Sequence, residues 1–396
     1  LRWNNVQPTK DEWKIEKASG AVDLSFENGV EILPMLAYGV DWAEADGTYG
    51  SVDIAAYAAY AGGMAKAFCD RAKEYEIWNE QNISRFWDPV PNPPKYADML
   101  ALSYDAIKAE CPDARVSFGG MASWDDVTLF DRWAFLREAL TARPDLCDKF
   151  DIVALHPYTW FQFDPPERDA MLAEGIYTEG QTWQTDIARA ILAGAGCGDK
   201  PIYYTELGWP SYDLTREQVA NYAARSLLIA ARDGVDGWYW YTFYDDDPAD
   251  EGVRPHENHF GLFEWPGADG SNRTPKPAWN ALVALHDRLD HHRFARDLGP
   301  ALKLPNDVYV LVFADDMGAL TVAAWDGRDL PDTIPGSDPA VGGPDTTHEL
   351  DLPLPDCATA TRLYDQYGVE LASPGAGPTV HLTLSPSVQY LAIDCP

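Results

Sequence analysis

The chain has 396 residues, 46% of them hydrophobic, with 15 Trp and 20 Tyr, so it carries the apolar material of a large core and is not a disordered chain. Its 30 basic and 63 acidic side chains leave a formal charge of −33, which repels nucleic acid and anionic membranes and excludes both as partners. No apolar run reaches the roughly 20 residues of a membrane span, and so acidic a surface fits a secreted protein or one adapted to high salt.

Along the chain, short apolar runs alternate with longer helical stretches up to about residue 297. Strands are predicted at Glu31–Tyr38, Tyr75–Trp78, Arg115–Gly119, Ile152–His156, Ile202–Thr205 and Gly237–Phe243. Between them, helices are predicted at Ile54–Arg71, Lys95–Glu110, Leu129–Thr141, Thr182–Ala195 and Arg216–Asp233. Strands with no polar face, each followed by a helix, are the pattern of a parallel α/β sheet. Several end in polar and aromatic clusters: Trp78-Asn79-Glu80, His156-Pro-Tyr158, Glu206-Leu-Gly-Trp209 and Trp240-Tyr-Thr. Polar groups at successive carboxyl ends describe the functional face of a (β/α)8 TIM barrel, and no Gly-rich phosphate loop supports a doubly wound sheet instead. The acidic run Tyr244–Glu251 reads as a solvated loop rather than a metal site.

From residue 298 the texture changes to short alternating runs (Val308–Phe313, Leu320–Trp325, Thr361–Tyr364, Thr379–Leu384, Val388–Ile393) separated by Pro, Gly and Asp. This predicts a small antiparallel β-sandwich, and hence two domains: a catalytic barrel at 1–297 and a C-terminal accessory domain at 298–396. Six cysteines show no C-x-x-C spacing, which argues against zinc and thiol redox chemistry. Cys357 and Cys395 bracket the last segment and can bridge; Cys69, Cys111, Cys147 and Cys197 read equally as buried thiols. His286 with Asp290, His291 and His292 reads as a helix end with histidines near its C-terminus.

Glu80 and Glu206 carry the chemistry. Both follow predicted strands, and barrel strand ends converge on one cleft, so two carboxyls distant in sequence can face each other across a bound sugar. Glycoside hydrolysis needs such a pair, one as general acid and base, the other as nucleophile. The aromatic excess suits it, because sugar rings stack on indole and phenol faces. In this reading Glu80 holds a proton, favoured by burial and by Glu206. Glu206 stays ionised, with Tyr158 as hydrogen-bond donor, and Asn79 reaches the sugar 2-hydroxyl. His156 contacts substrate or stands just behind the site, and Trp78 and Trp209 join the substrate-binding set. Trp160 and Trp238 are further cleft candidates. No metal or cofactor is expected, and the partner is a carbohydrate. The rivals are a catalytically silent carbohydrate-binding barrel and a metal-dependent hydrolase. Oligomeric state is not legible.

The same residues carry a resemblance. Trp78-Asn79-Glu80 resembles the Asn-Glu signature after the fourth strand of the retaining glycoside hydrolases of clan A. Glu206-x-Gly-Trp-Pro-Ser resembles their nucleophile segment after the seventh strand, and His156-Pro-Tyr158 their His-x-Tyr pattern after the sixth. The layout with a terminal sandwich is most similar to family 39, the β-xylosidases and α-L-iduronidases, while the nucleophile segment is also similar to family 17. The resemblance implies a retaining mechanism with Glu80 and Glu206 in these roles, Asn79, His156 and Tyr158 beside them, and Trp240 as the aromatic floor beneath the reacting sugar. It also sets Trp3–Pro8 just after a second strand, so the first strand and most of the second are expected to be absent. The start at Leu1 without a signal-peptide pattern reads as a processed or truncated chain.

Overall fold

The computed structural model describes residues 1–123, 131–159, 164–168, 170–171, 177–250, 252, 254–328, 347–375 and 377–395. In chain order its helices of four or more α-helical residues are α1 (Trp3–Val6), α2 (Glu16–Glu27), α3 (Ile54–Phe68), α4 (Pro93–Glu110), α5 (Arg132–Ala142), α6 (Gln181–Gly194), α7 (Arg216–Arg232), α8 (Pro277–Leu289) and α9 (Gly299–Leu302). The strands of the first half are β1 (Met35–Leu36), β2 (Glu74–Ile77), β3 (Arg115–Ala122), β4 (Ile152–His156), the short pair β5 (Ala170–Met171) and β6 (Tyr177–Thr178), β7 (Ile202–Leu207) and β8 (Gly237–Trp240). Two compact units divide the chain: Leu1–Pro157 with Thr185–Glu206, and Tyr158–Gln184 with Leu207–Pro396.

The first unit is a layered β/α array. Its strands pair in parallel in the order β1-β2-β3-β4-β7, with Leu36 opposite Ile77, Ile77 opposite Phe118, Phe118 opposite Val153 and Val153 opposite Ile202. β4 is buried at every position, as expected of a parallel strand covered on both faces. The helices start where their caps dictate. Asp53 accepts from the Ala55 and Ala56 N–H groups ahead of α3, and Asn92 accepts from Lys95 N–H ahead of α4, where Pro93 needs no partner. The sheet has one irregularity close to the predicted site residues. Between Phe118 and Met121 the β3–β4 register slips, so Gly119-Gly120 forms a bulge. Ahead of β1, Arg2 makes a parallel bridge with Ala37.

All four cysteines expected as possible buried thiols are paired. Cys69–Cys111 ties the ends of α3 and α4, and Cys147–Cys197 joins the segments after α5 and α6, with Cα–Cα distances of 5.5 and 5.4 Å. The sequence showed no sign of these pairs, because their partners meet only once the helices are stacked.

The second unit contains α7, α8 and β8, which follows β7 in the strand order and is linked to it by the Tyr241 N–H to Leu207 C=O bond. The six strands β1, β2, β3, β4, β7 and β8 thus make a partial (β/α) barrel. This unit also holds an antiparallel sheet of β9 (Arg293–Asp297), β10 (Val308–Ala314), β11 (Leu320–Asp326), β13 (Ala360–Tyr364), β14 (Glu370–Ala372) and β16 (Gln389–Asp394), in the order β14-β13-β16-β11-β10-β9. A ribbon of β12 (His348–Pro353) and β15 (Thr379–Leu384) accompanies it. Val310, Val312, Leu391 and Ile393 of the sheet share one core with Leu350, Leu352, Val380 and Leu382 of the ribbon. The Cys357–Cys395 bridge is present. β9 belongs to this sheet although its residues lie on the barrel side of the expected boundary at 297/298. Residues 329–346, between β11 and β12, lie outside the described residues.

Two local expectations are corrected. Asp245, placed in a solvated acidic loop, is buried in an ion pair with Lys276 at 2.6 Å, because Lys276 is itself buried and needs a counter-charge. The strand predicted over Glu31–Tyr38 is reduced to Met35–Leu36. Its first residues follow Asn28-Gly29 at the end of α2, and the strand forms only past Pro34, which has no N–H to offer a ladder.

Candidate active site

Three predicted residues of the first unit converge. Glu80 follows β2, His156 ends β4, and Glu206 lies on β7. His156 Nδ1 stands 3.0 Å from Glu80 Oε1 and 4.0 Å from Glu206 Oε2. One ligand-capable atom from each of the three lies within 4.8 Å of the others, so the two carboxyls approach each other about as closely as a carboxylate pair across one bond requires. The carboxyls differ in access: the Glu80 side chain is 13% exposed and that of Glu206 26%.

The chain leaves β2 through an unusual backbone. Trp78 and Glu80 both adopt left-handed conformations, with φ of 71° and 49°, which side-chain-bearing residues adopt only where the surroundings impose them. Here they do. Trp78 N–H donates to Leu36 C=O and to the Tyr57 hydroxyl, Trp78 Nε1–H donates to Phe86 C=O, and Glu80 N–H donates to Gly120 C=O at 2.9 Å. The Asn82 side chain pairs with both backbone groups of Ala122, as a neighbouring strand would.

The bulge supplies the room. A Cβ on Gly120 would stand 2.1 Å from His156 Nε2 and 2.9 Å from Thr205 Oγ1, so only glycine lets the imidazole approach β3 this closely. His156 is itself buried, which directs it at Glu80 rather than at open space. Burial works against its cationic form. The Glu206 charge, then the hydrogen bond and charge of Glu80, then Glu76, outweigh that and push its pKa up to about 9.

Glu76 is a group the sequence reading missed. It lies in β2, is buried, and accepts hydrogen bonds from Gly120 N–H (2.6 Å) and the Thr205 hydroxyl (3.2 Å). Burial, against the partial relief of His156, Gly120 and Thr205, raises its pKa to about 7. Tyr38 was missed as well. Its hydroxyl accepts from Asn79 Nδ2 at 2.9 Å, and burial followed by the charges of Glu80 and Glu206 holds the phenol far above its ordinary range. The available signal was a glutamate between Tyr75 and Ile77 in one strand and a tyrosine just past another.

The other expected residues divide between the two units. Trp78, expected to bind substrate, is fully buried among Tyr38, Tyr49, Tyr57 and Trp87, where it braces the turn into Glu80. Asn79 is buried beside Tyr38. Tyr158, Trp209 and Trp240 belong to the second unit. There Tyr158 packs edge-on against Phe260, and Trp240, half-buried, donates to Phe260 C=O. Trp209, also expected to bind substrate, is buried and donates to Asp164 C=O at 2.9 Å. An indole surrounded by protein and hydrogen-bonded to backbone is core, which corrects that expectation. Trp238 donates to the Ser226 hydroxyl, and Trp160 lies outside the described residues.

No family model matches the sequence, and no curated protein is similar to it in sequence. Its fold, by contrast, is similar to those of solved glycoside hydrolases. A family 39 glycoside hydrolase from the gut symbiont Bacteroides cellulosilyticus superposes with a TM-score of 0.75 at 23% identity, over 100% of this chain and 74% of that one. A monomeric β-xylosidase from Caulobacter crescentus gives 0.61 at 16% identity, covering 98% and 86% of the two chains. The family 30 xylanase C of Talaromyces cellulolyticus gives 0.56 at 14% identity, covering 97% and 81%.

Proposed function

We propose that the chain is a retaining glycoside hydrolase that cleaves O-glycosidic bonds by double displacement. The observation that carries this reading is the close approach of Glu80 and Glu206, with one carboxyl bonded to a buried imidazole and the other more open. The short separation favours direct attack on the anomeric carbon, since inverting enzymes leave room for a water between carboxyls roughly 6.5–9.5 Å apart. The likeness of the fold to glycoside hydrolases supports the same class.

In this mechanism Glu206 attacks the anomeric carbon while Glu80 delivers a proton to the departing oxygen, leaving a glycosyl ester on Glu206. Glu80 then takes a proton from water as the water releases the sugar from the ester. The Glu80–His156 contact holds an imidazole against the carboxyl that delivers the proton. The same imidazolium gives Glu206 a cationic neighbour. Asn79, Tyr158 and Trp240 are proposed to orient the sugar. The antiparallel sheet and its ribbon are proposed to form the two layers of a C-terminal sandwich that begins at β9. The three disulfides, and the lack among described residues of any helix long and apolar enough to cross a membrane, are consistent with an extracellular protein.

The similar structures named as β-xylosidase and xylanase make aryl xylosides and xylan the first substrates to try, with glucosides second because a glucosidase of Croceicoccus marinus is also similar. Wild type is expected to hydrolyse one of them and Glu206→Ala to lose the activity; equal activity in the variant would sink the assignment. A metal-dependent hydrolase is the rival that chelation separates from this reading. Loss of activity on exhaustive chelation, restored by a divalent cation, would favour a metal-dependent hydrolase instead.

A further inference from the structure

The buried carboxyl of Glu76 has no part in the two-carboxylate reaction, yet it is bonded to the pieces that hold the reacting groups. Its Oε1 accepts from Gly120 N–H, and the C=O of that same glycine accepts from Glu80 N–H. Gly120 is also the residue against which the His156 ring lies. The second donor to Glu76 Oε1 is the hydroxyl of Thr205, the residue directly before Glu206. One buried oxygen therefore joins β3 at its bulge to β7 at its functional end, with Glu80, His156 and Glu206 each attached within one residue or one contact of that link. A carboxyl without a cationic hydrogen-bond partner is a costly group to bury for packing alone, since an apolar side chain of similar size fills a strand position without desolvating charge.

We propose that Glu76 is a positioning residue of this site: it fixes Gly120 and Thr205, and its negative charge helps keep the proton on His156. The inference rests on the glycosidase reading for its catalytic consequence, but not for its electrostatic one. The titratable groups that face Glu76 are His156 and Glu206 across the sheet, the phenols of Tyr57 and Tyr96 on the covering helices, and the amino group of Leu1. His156 in turn is faced by Glu206, Glu80 and Glu76. Burial holds the pKa of Glu76 at about 7, so it acquires charge as the pH rises toward the range where His156 would otherwise let go of its proton.

The test replaces Glu76 with Gln, which can still accept from Gly120 but carries no charge. His156 is followed by nitrogen-resolved NMR in histidine-labelled protein, its signal among the 8 histidines assigned by its loss in His156→Gln. Alongside, kcat/KM is measured against pH on the best aryl glycoside. The expected result is that His156 deprotonates at lower pH in Glu76→Gln. The alkaline limb of kcat/KM should move with it, giving a loss of about tenfold on that limb and of less than about threefold near pH 6. Glu76→Asp, which keeps the charge, is expected to restore part of the His156 titration. Should Glu76→Gln not fold, Thr205→Val takes its place. Removing the hydroxyl makes Glu76 harder to ionise, so His156 is again expected to titrate lower. A His156 titration unchanged in a folded Glu76→Gln or Thr205→Val protein would overturn the proposal. A wild type that hydrolyses no glycoside would overturn the glycosidase reading, and the His156 titration would still decide the role of Glu76.

Discussion

Each unit buries a charged cluster, and the two are built on opposite principles. In the second unit Glu167 and Arg225 form a bidentate ion pair at 2.7 and 2.8 Å, and Trp325 Nε1 donates to the same carboxylate at 2.7 Å. Arg225 is fully buried and also reaches the backbone carbonyls of Pro386 and Gly327, so one cation answers one anion and helix α7 is tied to the β11 strand. In the first unit one histidine faces three carboxyls, two residues are held left-handed, and a glycine bulge is spent on making room. Buried charge that serves structure is balanced and saturated with hydrogen bonds. The unbalanced cluster is the one whose protons can move, which is what an acid–base reaction requires.

The contrast between the two clusters can be broken at either end. Glu206→Ala should cost the most, about 10⁴-fold in kcat, with a melting temperature equal to or above wild type because an anion leaves an over-acidic cluster. A large fall in stability would place Glu206 among structural residues instead. Arg225→Ala should reverse the pattern. Stranding Glu167 in the interior is expected to cost about 3–5 kcal/mol in urea unfolding, with kcat of the remaining folded protein near wild type. A cost under about 1 kcal/mol would mean that the pair is not a structural element.

Gly120→Ala sharpens the contrast at smaller scale. The new methyl would push His156 away from Glu80, and a loss of about 10²-fold in kcat/KM is expected. Unchanged kinetics would show that the imidazole is not confined by the bulge.

The smallest effect is on stability against pH. Glu76 is raised from 4.5 to about 7 and His156 from 6.5 to about 9, so the folded state binds more protons than the unfolded one across those windows. Their contribution is therefore fully present in acid and is lost as pH rises through about 7 and then about 9. Asp164 in the second unit, raised by burial to about 6, acts in the same direction at lower pH. The melting temperature should fall from pH 5 to 9, and Glu76→Gln should flatten the part of that fall centred on Glu76. A melting temperature that rises over the range would contradict the burial of these protonated groups.

The barrel strands were legible because each is an apolar, β-branched run that stops abruptly at polar residues, and those stops mark Glu80, His156 and Glu206. What escaped the sequence depends on partners distant along the chain. Glu76 lies inside a run read as a strand covered on both faces, and the donors its carboxyl meets, Gly120 and Thr205, are distant in sequence. The Gly119-Gly120 bulge is visible only once β3 is paired with β4. β9 was not legible because Arg293-Phe-Ala-Arg-Asp297 is a charged, largely exposed edge strand with no continuous apolar face. Trp78 and Trp209 looked like sugar platforms since composition does not say which face of an indole is covered; both proved to be core.

The central claim, a double displacement through Glu80 and Glu206, is tested most directly by following the anomer of the first-released product by proton NMR during hydrolysis of an aryl glycoside. Product that forms with the configuration of the substrate and only later mutarotates is the predicted result. Product that first appears inverted would contradict it.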